Sequence, residues 1–271
     1  NADPSFPPTG PVDKEVGYVF FEDENRDPIS CVFSYTIHNV LGGTDTFHRD
    51  LGGRIGDVLR RRLGVTDLAT SFLAGACGNI NPNEKIGQKP GNHTAWRIGE
   101  GVADSILESH GENSPQEIRD LRFASEVLEI PDRSLEESEF CEDNCRGTDS
   151  AYLKYARDRY GPEMIALQDR GPTSCLVEIG AISMGDVAIA TNPAELFVEY
   201  GLEIKQKSPF EVTMISELTN GYCGYVPTEE AFAMKGYETH RTVFTSRLAK
   251  NGGQIIADKS VEMLERCKTA T

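Results

Sequence analysis

Four stretches of the sequence gather side chains that bind metals or move protons. His38 and Asn39 follow a run rich in β-branched and aromatic residues, and GACGNINPN (75–83) ends a second such run. NPAE, closing on Glu195, joins an apolar run to a helical one. NGYCGYVPT (220–228) carries Asn220, Tyr222 and Tyr225, with Tyr237 and His240 soon after. An imidazole, a carboxylate and a phenol form a borderline-to-hard donor set, for which zinc is the natural ion. The chemistry such a set supports is hydrolysis, because zinc polarises a carbonyl and acidifies a bound water. Each stretch also has a plainer reading: a satisfied structural histidine, a first-turn acid complementing a helix dipole, a packed Tyr-Gly-Tyr turn. Composition does not choose between these readings; convergence of the loops on one scaffold would.

Loops after strands are where a rigid framework positions functional groups, so the framework must supply strands that end together. Val16–Phe21 and Ile29–Thr36 flank a polar Asp-Pro turn and read as a hairpin. Leu51–Leu63 has helical apolar spacing, with arginines in its last turn and Asp50 as a candidate N-cap. Ala69–Ala76 reads as a buried strand, Ala95–Ser109 as an amphipathic helix and 118–130 as a further strand. An acidic insertion follows, then a helical stretch from Tyr152 to Leu167. Leu176–Ser183 and Val187–Thr191 form a second hairpin around Met-Gly-Asp. A helix from about Leu196 to Lys205, a strand at Val212–Glu217 and a closing helix over Ser246–Cys267 complete the chain. Without an internal repeat or a low-complexity linker, this pattern predicts one α/β domain.

The balance of 27 basic against 43 acidic residues, a net charge of -16, argues against nucleic acid as a partner. No apolar run is long enough to cross a membrane. Seven cysteines leave at least one unpaired within the chain; Cys141 and Cys145, in the acidic insertion, read as a small disulfide or two free thiols before they read as a metal clip. Asn92-His-Thr is a glycosylation sequon.

In order and rough spacing, six segments across residues 11–240 resemble the catalytic domain of the neutral/alkaline non-lysosomal ceramidases and their bacterial ceramidase-like relatives. The lead-in PVDKEVGYVFFED is similar to the segment that precedes that domain's central strand. YTIHNVLGG resembles the segment holding a zinc-binding histidine, which falls on His38, and HRDLGGRIG the Asp-x-x-Gly start of the next helix, at Asp50 and Gly53. GACGNINPN is similar to that family's Gly-Asp-Val-Ser-Pro-Asn loop. NPAELFVEYG resembles the Pro-x-Glu segment whose glutamate binds zinc, here Glu195. NGYCGYVPTEEAFAMKGYE resembles a Tyr-x-x-Tyr-x-x-Thr-x-Glu-Glu stretch. Its second tyrosine, here Tyr225, is a metal ligand, and a later one, here Tyr237, faces the reacting group.

The resemblance implies layered mixed β-sheets flanked by helices, an α/β arrangement in which residues 1–271 are the C-terminal portion of a ceramidase-like catalytic domain. It implies zinc held by His38, Glu195 and Tyr225, hydrolysis of an amide in a lipid or small molecule, and export from the cell. It also implies an N-terminal segment of the same protein carrying another zinc-binding histidine in a His-x-His motif, which the sequence here lacks. Asn220, Tyr222, His240 and Asn79 are the candidates for fixing the ligands. Asn81 stands where the family has the serine proposed as catalytic, and Asn79 where it has aspartate. An amide is no ordinary nucleophile, so water is the expected attacking group, with Tyr237 as oxyanion donor and Asn81 orienting water or substrate. Cys77 reads as a small buried residue. Two alternatives stay open: a metal hydrolase of a non-lipid ester or amide, and a non-catalytic relative that binds ligand or metal without turnover.

Overall fold

Runs rich in β-branched and aromatic residues on both sides of a polar turn fold as expected. Strand β1 (Gly17–Glu22) pairs antiparallel with β2 (Pro28–Tyr35), Phe20 lying opposite Cys31. The computed structural model describes residues 10–41, 47–82, 92–118, 120–134, 171–234, 236–242 and 245–269, and the isolated positions 162, 166 and 169. On its other edge β2 pairs parallel with β3 (Ala69–Ala74), Phe33 beside Phe72, giving the order β1-β2-β3. Parallel neighbours need a crossover, and helix α1 (Asp50–Leu63) supplies it. Its Leu51, Ile55, Val58 and Leu59 recur at helical spacing and are fully buried. They pack with Phe33 of β2 and with Ala103 and Ile106 of α2 (Asn92–Glu112) in one apolar core.

A second sheet has the order β4 (Leu121–Pro131), β5 (Ser174–Met184), β6 (Val187–Thr191) and β8 (Val212–Ser216). The β5–β6 hairpin turns at Gly185, whose φ of 59° lies in the left-handed region that glycine tolerates. Along β5, Cys175, Val177, Ile179 and Ala181 alternate inward. Against them packs the last helix, α4 (Gly252–Thr269), through Ile256, Ala257, Met263 and Leu264. Each of the larger of these side chains, Val177, Ile179, Ile256, Met263 and Leu264, contributes about 1.5–3 kcal/mol on burial. Strands β6 and β8 are parallel, joined through α3 (Val198–Lys207). The two sheets adjoin where Ser34 of β2 donates to the Ile215 carbonyl of β8 at 3.2 Å, so β2 and β8 finish side by side.

Several boundaries differ from the sequence expectation, each for a tertiary reason. β3 ends at Ala74 and is only partly buried; among the described residues it is an edge strand, paired on one side alone. Asp50 does not occupy the N-cap position of α1; Arg49 does, while the Asp50 carboxylate accepts the Leu41 and Leu51 backbone N–H groups. Helix α3 starts at Val198, not Leu196, because Glu195–Leu196 form a short strand, β7, parallel to β9 (Tyr225–Val226). The closing helix starts at Gly252, because Leu248 first bridges to Asp132. Cys141, Cys145 and most of the Tyr152–Leu167 stretch lie outside the described residues. Among the described residues no helix is long and apolar enough to cross a membrane.

Candidate metal centre

The site is assembled first by backbone. In the β7–β9 pair, Glu195 and Tyr225 are register partners, and the Glu195 N–H donates to the Gly224 carbonyl at 3.0 Å. Parallel pairing puts partner side chains on the same face, so a carboxylate and a phenol leave the sheet together. Behind β7 runs the turn after β3. Gly78 donates to the Leu196 carbonyl at 2.8 Å, and a Cβ there would stand 2.4 Å from the Glu195 carbonyl oxygen, so only glycine lets the two backbones approach. The same turn presents the Ile80 carbonyl to the His38 N–H at 3.0 Å. Asn79 closes it against α3: its carbonyl oxygen accepts the Val198 N–H and its amide donates to Glu199, each at 2.9 Å.

On one side of the His38 ring, Nε2 stands 3.6 Å from Glu195 Oε2 and 3.5 Å from Tyr225 Oη. The Tyr222 hydroxyl donates to Glu195 Oε1 at 2.8 Å. Tyr237, in a short 3-10 turn (Tyr237–Thr239), sets its ring edge-on to Tyr225 at 5.6 Å, and His240 packs edge-on to Tyr237 at 6.4 Å. Burial lowers the His38 pKa against the opposing charges of Glu195 and Glu238, so the imidazole is neutral at pH 7 and keeps a lone pair. Burial and the Glu195 carboxylate push both Tyr222 and Tyr225 upward.

On the other side, His38 Nδ1 stands 3.2 Å from Cys77 Sγ. The Cys77 thiol donates to Glu217 Oε1 at 2.8 Å. Glu217 Oε2 accepts two backbone N–H groups, those of Cys77 and Leu196, both at 3.1 Å. Glu217 is 5% exposed. Burial pushes its carboxyl up to about 8, with the Glu195 charge adding to the rise and the donors from Cys77 and Leu196 opposing it. Burial and the adjoining Glu217 likewise raise the Cys77 thiol. His38, Cys77 and Glu217 bring their donor atoms within 4.8 Å of one another, a His/Cys/Glu group able to hold a metal ion. Two donor sets therefore share one imidazole, one set at each nitrogen.

Of the residues singled out in the sequence, His38, Glu195, Tyr225, Tyr222 and Tyr237 come together, with His240 behind Tyr237. Asn79 serves the turn and α3 and makes no bond to His38, Glu195 or Tyr225. Asn220 sits at a positive φ of 61° and sends its amide to Glu178 at 3.0 Å, away from them. Asn81 is exposed just beyond the turn. Cys77 and Glu217 are the residues that sequence reading missed. The available signal was an acid ending VTMISE, an otherwise apolar strand, where a carboxylate needs a partner.

No protein-family model matches the chain, and a search of curated proteins finds no match by sequence. Solved structures do match by fold. The neutral ceramidase from Pseudomonas aeruginosa aligns with a TM-score of 0.60 at 15% identity, covering 94% of this chain and 47% of that one. A ceramidase complexed with C2 aligns at 0.65 and 14% identity, covering 95% and 48%. The chain thus spans just under half the length of each. Mixed sheets flanked by helices, in the arrangement shared with these enzymes along nearly its whole length, give this chain the fold of the neutral ceramidases.

Proposed function

We propose that the chain carries the metal centre of a zinc-dependent hydrolase of an amide (N-acyl) bond, with His38, Glu195 and Tyr225 as ligands. The observation that carries this reading is the meeting of three donor atoms around His38 Nε2. Zinc bonds nitrogen and oxygen at about 2.0–2.2 Å, so ligand atoms of a tetrahedral site stand roughly 3.3–3.6 Å apart. The separations from Nε2 to Glu195 and Tyr225, 3.6 and 3.5 Å, have that size. The opposite set is contracted to hydrogen-bond lengths, with the thiol 2.8 Å from Glu217, and its carboxylate is already engaged by two backbone donors. That favours Nε2 as the metal-facing nitrogen. A histidine from a further segment of the same protein would complete the ligand set.

When bound there, zinc would supply Lewis acidity and a water of lowered pKa. The chain's own groups do the rest. Tyr222 holds Glu195 in orientation through its 2.8 Å bond. Tyr237, 46% exposed and edge-on to Tyr225, is reachable by substrate and donates to the oxyanion of the attacked carbonyl. Asn81 replaces a hydroxyl nucleophile with an amide, so the attacking group is water, which Asn81 or a substrate polar group orients. The substrate class rests on the fold neighbours being ceramidases, and a fatty-acyl amide is the first candidate.

The test is hydrolysis of N-acyl-sphingosines, N-acyl sugars and simple esters, before and after chelation. Activity on an N-acyl substrate, removed by chelator and restored by zinc, is expected, with Glu195→Gln losing both zinc and turnover. Full zinc occupancy in Glu195→Gln by atomic absorption would sink the ligand assignment. The exposed Asn81 favours one second reading, a binder without turnover. Zinc binding with no hydrolysis across the panel, even with the remainder of the protein present, would select it.

A further inference from the structure

We infer that Cys77 and Glu217 form a buried hydrogen-bonded relay behind His38 that fixes its ring and tautomer, so that Nε2 offers its lone pair to Glu195 and Tyr225. The inference rests on the metal reading above and deepens it: it gives the Cys/Glu pair a positioning role, not a ligating one.

A neutral imidazole has one donor and one acceptor nitrogen, and the hydrogen bond at one decides the state of the other. For Nε2 to accept a cation, Nδ1 must carry the proton and needs an acceptor. The atom it meets is Cys77 Sγ, at 3.2 Å. A thiol is a weak acceptor with a rotatable S–H, so its orientation must itself be fixed. Glu217 does this through the hydrogen bond at Oε1, 2.8 Å away. Glu217 in turn cannot swing: Oε2 is held by the backbone N–H groups of Cys77 and Leu196, and the residue is buried at the end of β8. Its own N–H donates to the Ala74 carbonyl at the end of β3. One residue, through its carboxyl group and its backbone N–H, therefore ties together β3, β7 and β8. Leu196 follows Glu195 directly, so the same carboxylate also sets the backbone of the proposed ligand opposite His38. The arrangement has the form of a ligand histidine oriented by a group on its far nitrogen, with a sulfur inserted between the imidazole and the carboxylate.

The test compares Cys77→Ala, Cys77→Ser and Glu217→Gln with the parent chain in three measurements. Zinc affinity by competition with a chelating dye should fall about 10- to 100-fold in Cys77→Ala and Glu217→Gln, and Cys77→Ser, which keeps a donor-acceptor, should recover most of it. Long-range 1H–15N spectra of zinc-loaded protein should show His38 protonated at Nδ1 in the parent and a mixed or exchanging ring in Cys77→Ala. Cobalt-loaded parent protein should lack the intense near-ultraviolet thiolate-to-metal band. Thermal unfolding identifies any variant that fails to fold, and Cys77→Ser then carries the comparison. Parent-like affinity and an unchanged His38 signal in Cys77→Ala would overturn the relay, and so would a cobalt–thiolate band abolished by Cys77→Ala, which would make Cys77 a ligand. If Cys77→Ala is silent while Glu195→Gln and Tyr225→Phe lose zinc, the relay fails and the metal reading survives. If Glu195→Gln and Tyr225→Phe keep zinc, the metal reading itself fails.

Discussion

Glu195 and Tyr225 are direct partners in a parallel strand pair only two residues long on each side. That register brings a carboxylate and a phenol to one face beside His38 Nε2, although thirty positions of chain separate them. Tyr222 reaches the same carboxylate from outside the pair. The two tyrosines should therefore differ when their hydroxyls are removed. Tyr225→Phe deletes a proposed ligand atom and is expected to weaken zinc binding by roughly 100-fold or more, whereas Tyr222→Phe removes only an orienting bond and should cost about 10-fold. Zinc titrations of the two variants check this, and equal losses would contradict the separate roles.

Asn79 should act on stability and leave the metal alone. Its carbonyl oxygen caps the first N–H of α3 and its amide holds Glu199. Asn79→Ala is expected to destabilise the fold by about 0.5–2 kcal/mol, the usual cost of a lost cap, with zinc stoichiometry unchanged. Denaturant unfolding and metal analysis of one preparation would show whether the two effects separate.

Asn81 should act on turnover and leave affinity for zinc alone. It is exposed and makes no bond to His38, Glu195 or Tyr225. Asn81→Ala is expected to lower kcat by about 10-fold, as the loss of one orienting or polarising group does, while dye competition returns the parent zinc affinity. A kcat equal to the parent's would remove Asn81 from the reaction.

The acid limb of stability should depend on Asp132. Burial by itself raises its carboxyl, but bonds from Arg247 and Thr173 and the charges of Arg247 and Arg241 outweigh burial and hold it below its ordinary 3.8. A carboxylate whose pKa is depressed on folding stabilises the native state fully above the unfolded value, and that contribution is lost as pH falls through the folded value. Asp132→Asn should lower Tm at neutral pH, and the gap to the parent should close as pH is taken below about 3.8. Calorimetric scans from pH 7 to near pH 3 would reveal a constant gap if the pairing carried no pH dependence.

Most of the scaffold was legible because burial imposes periodicity locally. The β1–β2 hairpin carries β-branched and aromatic residues around a polar turn, β5 alternates inward before the turn at Gly185, and α1 shows its stripe of Leu51, Ile55, Val58 and Leu59. The strand containing Glu195 was not legible. Two residues are too short for any pattern, and a helix begins directly after, so Leu196 reads as helical until β9 is placed beside it.

The proposed ligands carried a signal of residue type: a histidine, a glutamate and tyrosines at loops that follow strands, in an order that resembles the ceramidases. By itself the sequence determined those donors, the framework of strands and helices under them, and the absence of a side-chain nucleophile at Asn81. Only the tertiary structure decided that Asn220 turns to Glu178 while Tyr222 stays, and that His38 is addressed at both nitrogens. It also joined Cys77, read only as a small buried residue, and the unremarked Glu217 into a buried pair, 140 residues apart in the chain and 2.8 Å apart in space. The reason is physical: a hydrogen bond depends on distance and direction, which the packing of β3, β7 and β8 sets and no local pattern encodes.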